Sequence, residues 1–212
     1  MIKVENIEVF GVEGALRGMR NPLNSWDKAD SKFYFQEMPD GTVEERGKIG
    51  PRDLKLSNTL CMSGPEHRKF LRMIHVQMDV VAPLYWWKEY DTYKVGTVAN
   101  SCSTMHKIHD KEFTLEDFSH EHLLNAFKAD LNRLIVSLNA ARRRYLETND
   151  KDFWWQMIQL LPSSYNQRRT LDFSYENVFN MINQRKNHKL DEWKQFVEVL
   201  ENLPLVKELM SK

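Results

Sequence analysis

The sequence predicts an α+β fold, a small antiparallel sheet covered by long helices. Three observations carry this. All eight glycines lie at or before Gly96, and beyond it only Pro162 and Pro204 interrupt the 212-residue chain. A glycine-free run rich in Leu, Lys, Glu and Arg reads as successive helices. Over 72–81, Ile74, Val76, Met78 and Val80 alternate with polar residues, the period of a strand with one buried face. From 122 to 147, Leu123, Leu124, Phe127, Leu131, Leu134, Ile135, Leu138 and Tyr145 recur at helical spacing.

In chain order, residues 1–10 read as a strand. Residues 32–37 and 42–45 flank Pro39-Asp40-Gly41, a hairpin turn. Ser63-Gly64-Pro65-Glu66 has the form of a capping box with proline in the first turn, which predicts a short helix over 64–71 feeding the strand 72–81. Thr114-Leu115-Glu116-Asp117 caps another short helix. Asp150 caps a helix over 151–161 that stops at Pro162. A further strand is expected at 168–173. Tyr175, Val178, Phe179 and Ile182 build one more helix, and Trp193, Phe196, Val197 and Leu200 the last. There is no internal repeat and no linker, so a single domain over 1–212 is expected.

Composition narrows the function. With 42% hydrophobic and 28% charged residues the chain is an ordinary globular protein. Thirty basic and thirty acidic side chains cancel, which argues against a protein that coats a polynucleotide. No run approaches the roughly 18 apolar residues of a membrane span. Met1-Ile2-Lys3-Val4-Glu5-Asn6 lacks the layout of a signal peptide. Two cysteines, Cys61 and Cys102, suit a reducing compartment. A cytoplasmic protein with no membrane or polynucleotide partner is the expectation.

Few residues stand out for chemistry. His109-Asp110, with His75 and Asp130, admits a metal-dependent phosphohydrolase, but that fold is all helical and His75 sits in a strand pattern. The histidines read better as exposed residues flanking helices than as a metal site. Cys102 lies among small polar residues with no base indicated, so no catalytic residue is assigned. Phosphate cradling by a glycine-rich loop is absent.

Two segments remain. The run from Ala82 to Lys94 concentrates Tyr85, Trp86, Trp87, Tyr90 and Tyr93 at the end of the best strand. It is either an aromatic wedge of the core or a stacking surface for a flat ligand, fringed by Lys88, Tyr93, Lys94 and Asn100. In the second segment, Arg185 continues the apolar stripe of Val178 and Ile182, so its guanidinium needs an internal carboxylate or a ligand phosphate. Arg168 and Arg169 are further phosphate donors.

This layout resembles the flavin-dependent thymidylate synthases. Leu161-Pro162, a polar loop, Thr170, a helix ending in Arg185 and then Asp191-Glu192-Trp193 resemble the C-terminal half of that family. Gly64 to Val81 is similar to its histidine-containing helix and following strand, with His67 near the family's Gly-His. The resemblance covers about residues 60–110 and 155–205. Trp86-Trp87-Lys88 stands in place of the signature Arg-His-Arg, Asn100-Ser101-Cys102-Ser103 resembles the Asn-Glu-x-Ser only with extra residues between, and Ser174 stands where Asn is usual. The resemblance implies methyl transfer to dUMP or a related pyrimidine deoxynucleotide, with FAD supplying hydride and a folate the carbon. It also implies a homotetramer with active sites between chains. The residues it points to are Lys88, Tyr93, Asn100, Ser103, Arg168, Arg169 and Arg185 for substrate, and Trp86, Trp87, Lys94 and His106 for cofactor. A catalytically inactive nucleotide-binding or regulatory protein of the same fold is the alternative.

Overall fold

In a computed structural model that describes residues 2–37, 39 and 43–210, the best-patterned strand of the sequence lies at the centre of the sheet. This strand, β4 (His75–Pro83), buries Val76, Met78, Val80 and Ala82 and turns His75, Gln77 and Asp79 the other way. It pairs antiparallel with β1 (Lys3–Phe10) on one side and β6 (Asn166–Ser174) on the other, and β5 (Thr97–Ser101) closes the order β1-β4-β6-β5. A separate hairpin joins β2 (Lys32–Glu37) to β3 (Val43–Lys48). Its expected turn at Pro39-Asp40-Gly41 falls largely outside the described residues.

Helices α1 (Val12–Gly18), α2 (Pro51–Met62), α3 (Leu84–Tyr90), α6 (Tyr175–Arg185), α7 (Asp191–Glu201) and α8 (Val206–Met210) pack with the apolar face of the sheet in the main core. Phe173 of β6 meets Phe196 of α7, and Trp86 of α3 meets Trp193. Gly11 permits the turn from β1 into α1. Its φ is 88°, and a Cβ there would sit 2.2 Å from the Met73 carbonyl oxygen.

The class and the antiparallel sheet are those the sequence predicts, but the longest helix does not cover the sheet. Helix α4 (Asn125–Thr148) packs with α5 (Lys151–Leu160) in a second, smaller core around Leu138, Met157, Phe113 and Phe118. The N-terminal part of its apolar stripe is exposed, Leu124 at 70% and Phe127 at 58%. The Asp150 carboxylate accepts from the Asp152 amide, as its capping position requires. The expected helix over 64–71 is absent. A short 3₁₀ turn, Lys69–Met73, takes its place, with Gly64 at φ 116° where a helix would need a right-handed residue. Among the described residues no helix is long and apolar enough to cross a membrane.

Candidate functional site

Helix α3 decides how the aromatic segment is used. Leu84–Tyr90 turns inward as soon as β4 ends, which buries Trp86, Trp87 and Tyr90 at 0%, 1% and 1% exposure. Trp86 packs within 4.8–5.4 Å of Trp87, Trp193, Phe196 and Tyr90, and Trp87 donates its indole N–H to the Gln167 carbonyl. Neither indole has a face left for a ligand. The stacking role expected of Trp86 and Trp87 is therefore withdrawn, because core packing claims both rings. Lys88 and Lys94, outside this wedge, are exposed.

The arginines separate according to the pleat of β6. Arg169 lies on the covered face, its guanidinium 4.3 Å above the Trp87 ring and 2.7 Å from Asp91. Arg168 lies on the open face. Its Nη2 is 2.6 Å from Asp79, whose carboxylate also accepts from Asn6 and Thr170. These hydrogen bonds, Thr170 foremost, hold the Asp79 carboxyl well below the usual carboxylate range.

Arg185, at the end of α6, forms a third cluster. Its Nη1 is 3.0 Å from Glu89, its Nε donates to the Tyr93 hydroxyl at 3.0 Å, and its guanidinium lies 4.9 Å from the Trp193 ring centre. Arg185 thus has an internal carboxylate, as one of the two readings of its spacing required. Its Nη2 makes no hydrogen bond among the described residues.

The structure has two concavities of interest, of which the first includes Arg168. A polar groove of about 470 Å³ is lined by Cys102, Ser103, Lys107, Lys111, Asn166 and Arg168 together with the carboxylates Asp110, Glu116 and Asp117, and Lys107 pairs with Asp110 and Lys111 with Asp117. It brings Ser103 and Arg168 together, with Asn100 nearby on β5 opposite Thr170. Sequence reasoning missed Lys107, Lys111 and Asn166, which reach the groove only because the loop after β5 folds back over the start of β6. The second is an apolar cavity of about 430 Å³ between the end of α1 and the end of α2, walled by Met19, Leu56, Leu60, Phe70 and Met73, with Glu66, His67 and Lys69 also lining it. Only His67 was singled out in the sequence. The rest of that cavity comes from segments whose apolar spacing is too short to notice. His106 lies away from both, beside Tyr145 and Trp154.

Similarity to solved structures extends over the whole chain. Thymidylate synthase X from Helicobacter pylori, solved with FAD and dUMP, matches with a TM-score of 0.70 at 14% identity, covering 99% of this chain and 98% of that one. The fold is that of a flavin-dependent thymidylate synthase. A second structure of the Helicobacter pylori enzyme, complexed with FAD and dUMP, matches at 0.66 and 13% identity over 97% and 98% of the two chains. No protein-family profile and no curated protein sequence matches.

Within this fold each candidate arginine already has a carboxylate partner: Arg168 has Asp79 and Glu5, Arg169 has Asp91 and Arg185 has Glu89. No group of three or more His, Cys, Asp or Glu able to hold a metal occurs among the described residues. The central sheet rules out the all-helical phosphohydrolase. His75 instead bonds Asp172 at 2.9 Å, and His109 lies beside Asp110. Burial pushes the Cys61 thiol up to about 12 and leaves it inert, while Cys102 is exposed at the groove.

Proposed function

We propose that this chain binds a pyrimidine deoxynucleoside monophosphate, dUMP or a close relative, and acts on it by flavin-dependent methyl transfer. The observation that carries this reading is the full-length likeness to an enzyme solved with both FAD and dUMP. The phosphate goes to Arg185, through its uncommitted Nη2, and to Arg168, with Arg169 held in reserve by Asp91. A charge-assisted bond of this kind is the strong sort on which phosphate recognition rests. Asn100, Ser103, Tyr93 and Lys88 orient the base. The Arg185 cluster and the Arg168 groove use different elements and different sides of β6, which favours a site assembled between chains. A homotetramer in the cytoplasm, with a folate as carbon donor, completes the proposal.

Flavin fits this chain at the apolar cavity rather than at Trp86 and Trp87. Its walls suit a flat ring system, and Lys69 and His67, the latter 3.6 Å from Glu66, are the donors among its lining residues. When bound, the flavin supplies hydride. The protein's own part is to orient the nucleotide, to keep Arg185 and Arg168 fixed by Glu89 and Asp79, and to exclude water.

A second reading has a specific observation behind it. With Trp86 and Trp87 in the core and no Arg-His-Arg, the chain fits a nucleotide-binding regulator that has lost catalysis. Titration of purified protein with FAD and with dUMP separates the readings. Uptake of both, with the visible flavin band, supports the enzyme. Uptake of dUMP alone supports the regulator, and uptake of neither ends both.

A further inference from the structure

We propose that Glu89 is a displaceable counter-anion of Arg185, which weakens phosphate binding and yields to it by moving to His188. The proposal rests on the reading of Arg185 as a phosphate site, and adds Glu89 and His188 to that site as the residues that set its affinity.

The carboxylates that pair with the candidate arginines are not held alike. Asp79 accepts from Asn6, Arg168 and Thr170 together, so three donors anchor it. The Glu89 side chain accepts from one donor among the described residues, Nη1 of Arg185 at 3.0 Å. It is 44% exposed, against 16% for the side chain of Arg185. Arg185 cannot follow it outward. The Tyr93 hydroxyl accepts from its Nε, and the guanidinium lies against the rings of Tyr93 and Trp193. A guanidinium held by its own packing and covered by one loosely held acid is an anion seat with a removable occupant. A phosphate on Nη2 would stand about 5–6 Å from a carboxylate left on Nη1. At the effective dielectric of a surface site, that like-charge contact weakens binding on the order of tenfold.

His188 is placed to receive the carboxylate. Its amide donates to the Arg185 carbonyl, which closes the turn after α6 and sets the imidazole beside the seat. The Leu190 amide donates to Nδ1 at 3.2 Å. An amide N–H can only donate, so Nδ1 is the acceptor and the ring proton lies on Nε2. That Nε2 is 4.0 Å from the same Glu89 oxygen that Arg185 holds. The separation is too long for a hydrogen bond, and a shift of about 1 Å makes one. The Trp193 ring packs on the imidazole, with centroids 6.1 Å apart. Lys186, in the same turn, pairs with Glu201 instead. Glu89 thus fixes Arg185 while the seat is empty, and passes to a neutral donor when a phosphate takes the guanidinium.

Calorimetric titration of the full chain with dUMP, with uridine as control, tests this on wild type, Glu89→Gln, His188→Ala and the double variant. Glu89→Gln keeps an oxygen for Nη1 and removes the charge. It should bind dUMP about tenfold more tightly and leave uridine unchanged. His188→Ala should weaken dUMP roughly three- to tenfold, the worth of one hydrogen bond, and should have no effect in the Glu89→Gln background. Should His188→Ala unfold, as read by circular dichroism, the comparison of Glu89→Gln with wild type decides alone. Glu89→Gln binding no tighter than wild type overturns the proposal, and the nucleotide reading then stands without it if Arg185→Ala is weaker still. A His188→Ala effect of equal size in both backgrounds overturns the transfer to His188. Binding by Glu89→Gln alone supports the counter-anion and refutes nucleotide binding by the natural chain. Binding by neither ends both.

Discussion

Replacing Arg185 with alanine tests whether this side chain serves the ligand or only the fold. The substitution removes the bond to Glu89, the bond from Nε to Tyr93 and the ring contact with Trp193. Glu89 is nearly half exposed, so the ion pair is screened and adds about 0–1 kcal/mol. The Tyr93 bond adds about 1 kcal/mol, and the contact over Trp193 about 0.5–1. The expected loss of stability is therefore roughly 2 kcal/mol, a fall in Tm of about 4–8 °C for a chain of this size. If Nη2 also receives the phosphate, dUMP affinity falls by about ten- to a hundred-fold, the worth of a charge-assisted bond. Thermal unfolding and calorimetric titration read the two effects separately. Arg185→Lys, which keeps the charge and loses the planar fork, should recover part of the affinity. A lowered Tm with dUMP affinity unchanged would refute the reasoning and make Arg185 a structural partner of Glu89.

Other outcomes follow from the same geometry. Arg20 and Asp53 form a buried pair, 2.6 Å apart and under 5% exposed. Breaking it by Arg20→Ala should cost about 3–5 kcal/mol, measured by urea unfolding. Burial pushes the Asp53 carboxyl up, but hydrogen bonds from Ser31, Asp30 and Arg20 pull it further down, leaving it below its unfolded value. Its contribution is thus present above a pH of about 4 and lost as pH falls through the lowered folded value, and Asp53→Asn should flatten that limb of the stability curve. Cys102 alone should react promptly with a thiol reagent in the native state, with Cys61 reacting only on unfolding. The Tyr90 hydroxyl is buried with no hydrogen-bond partner among the described residues. Tyr90→Phe should therefore leave Tm unchanged or raise it, and a clear fall would reveal a partner.

Periodicity made β4, α6 and α7 legible, because each buries one continuous face: Val76, Met78 and Val80 in the strand, Val178 and Ile182, then Trp193, Phe196 and Leu200 in the helices. β5 was not legible, since an exposed neutral edge strand has no alternation to read. Helices α1 and α3 are seven residues each, too short to establish a period. The aromatic run of α3 left wedge and platform equally open, and only the packing of Trp86 against Trp193 and Phe196 decided between them. Of the candidate site, the importance of Arg185 followed from its place on an apolar stripe. The partition of Arg168 and Arg169 to opposite faces followed from the pleat, once the strand was accepted. The apolar cavity was illegible because it joins residues from four short segments, none with a pattern of its own.

The central claim is that this chain recognises a pyrimidine nucleotide through its phosphate. Calorimetric titration of the folded protein with dUMP, with uridine as the phosphate-free control, tests it most directly. The account predicts saturable binding of dUMP, weakened by added salt, with uridine at least tenfold weaker because the arginine contacts are lost. Folded protein that binds neither compound, or binds both equally, would contradict it.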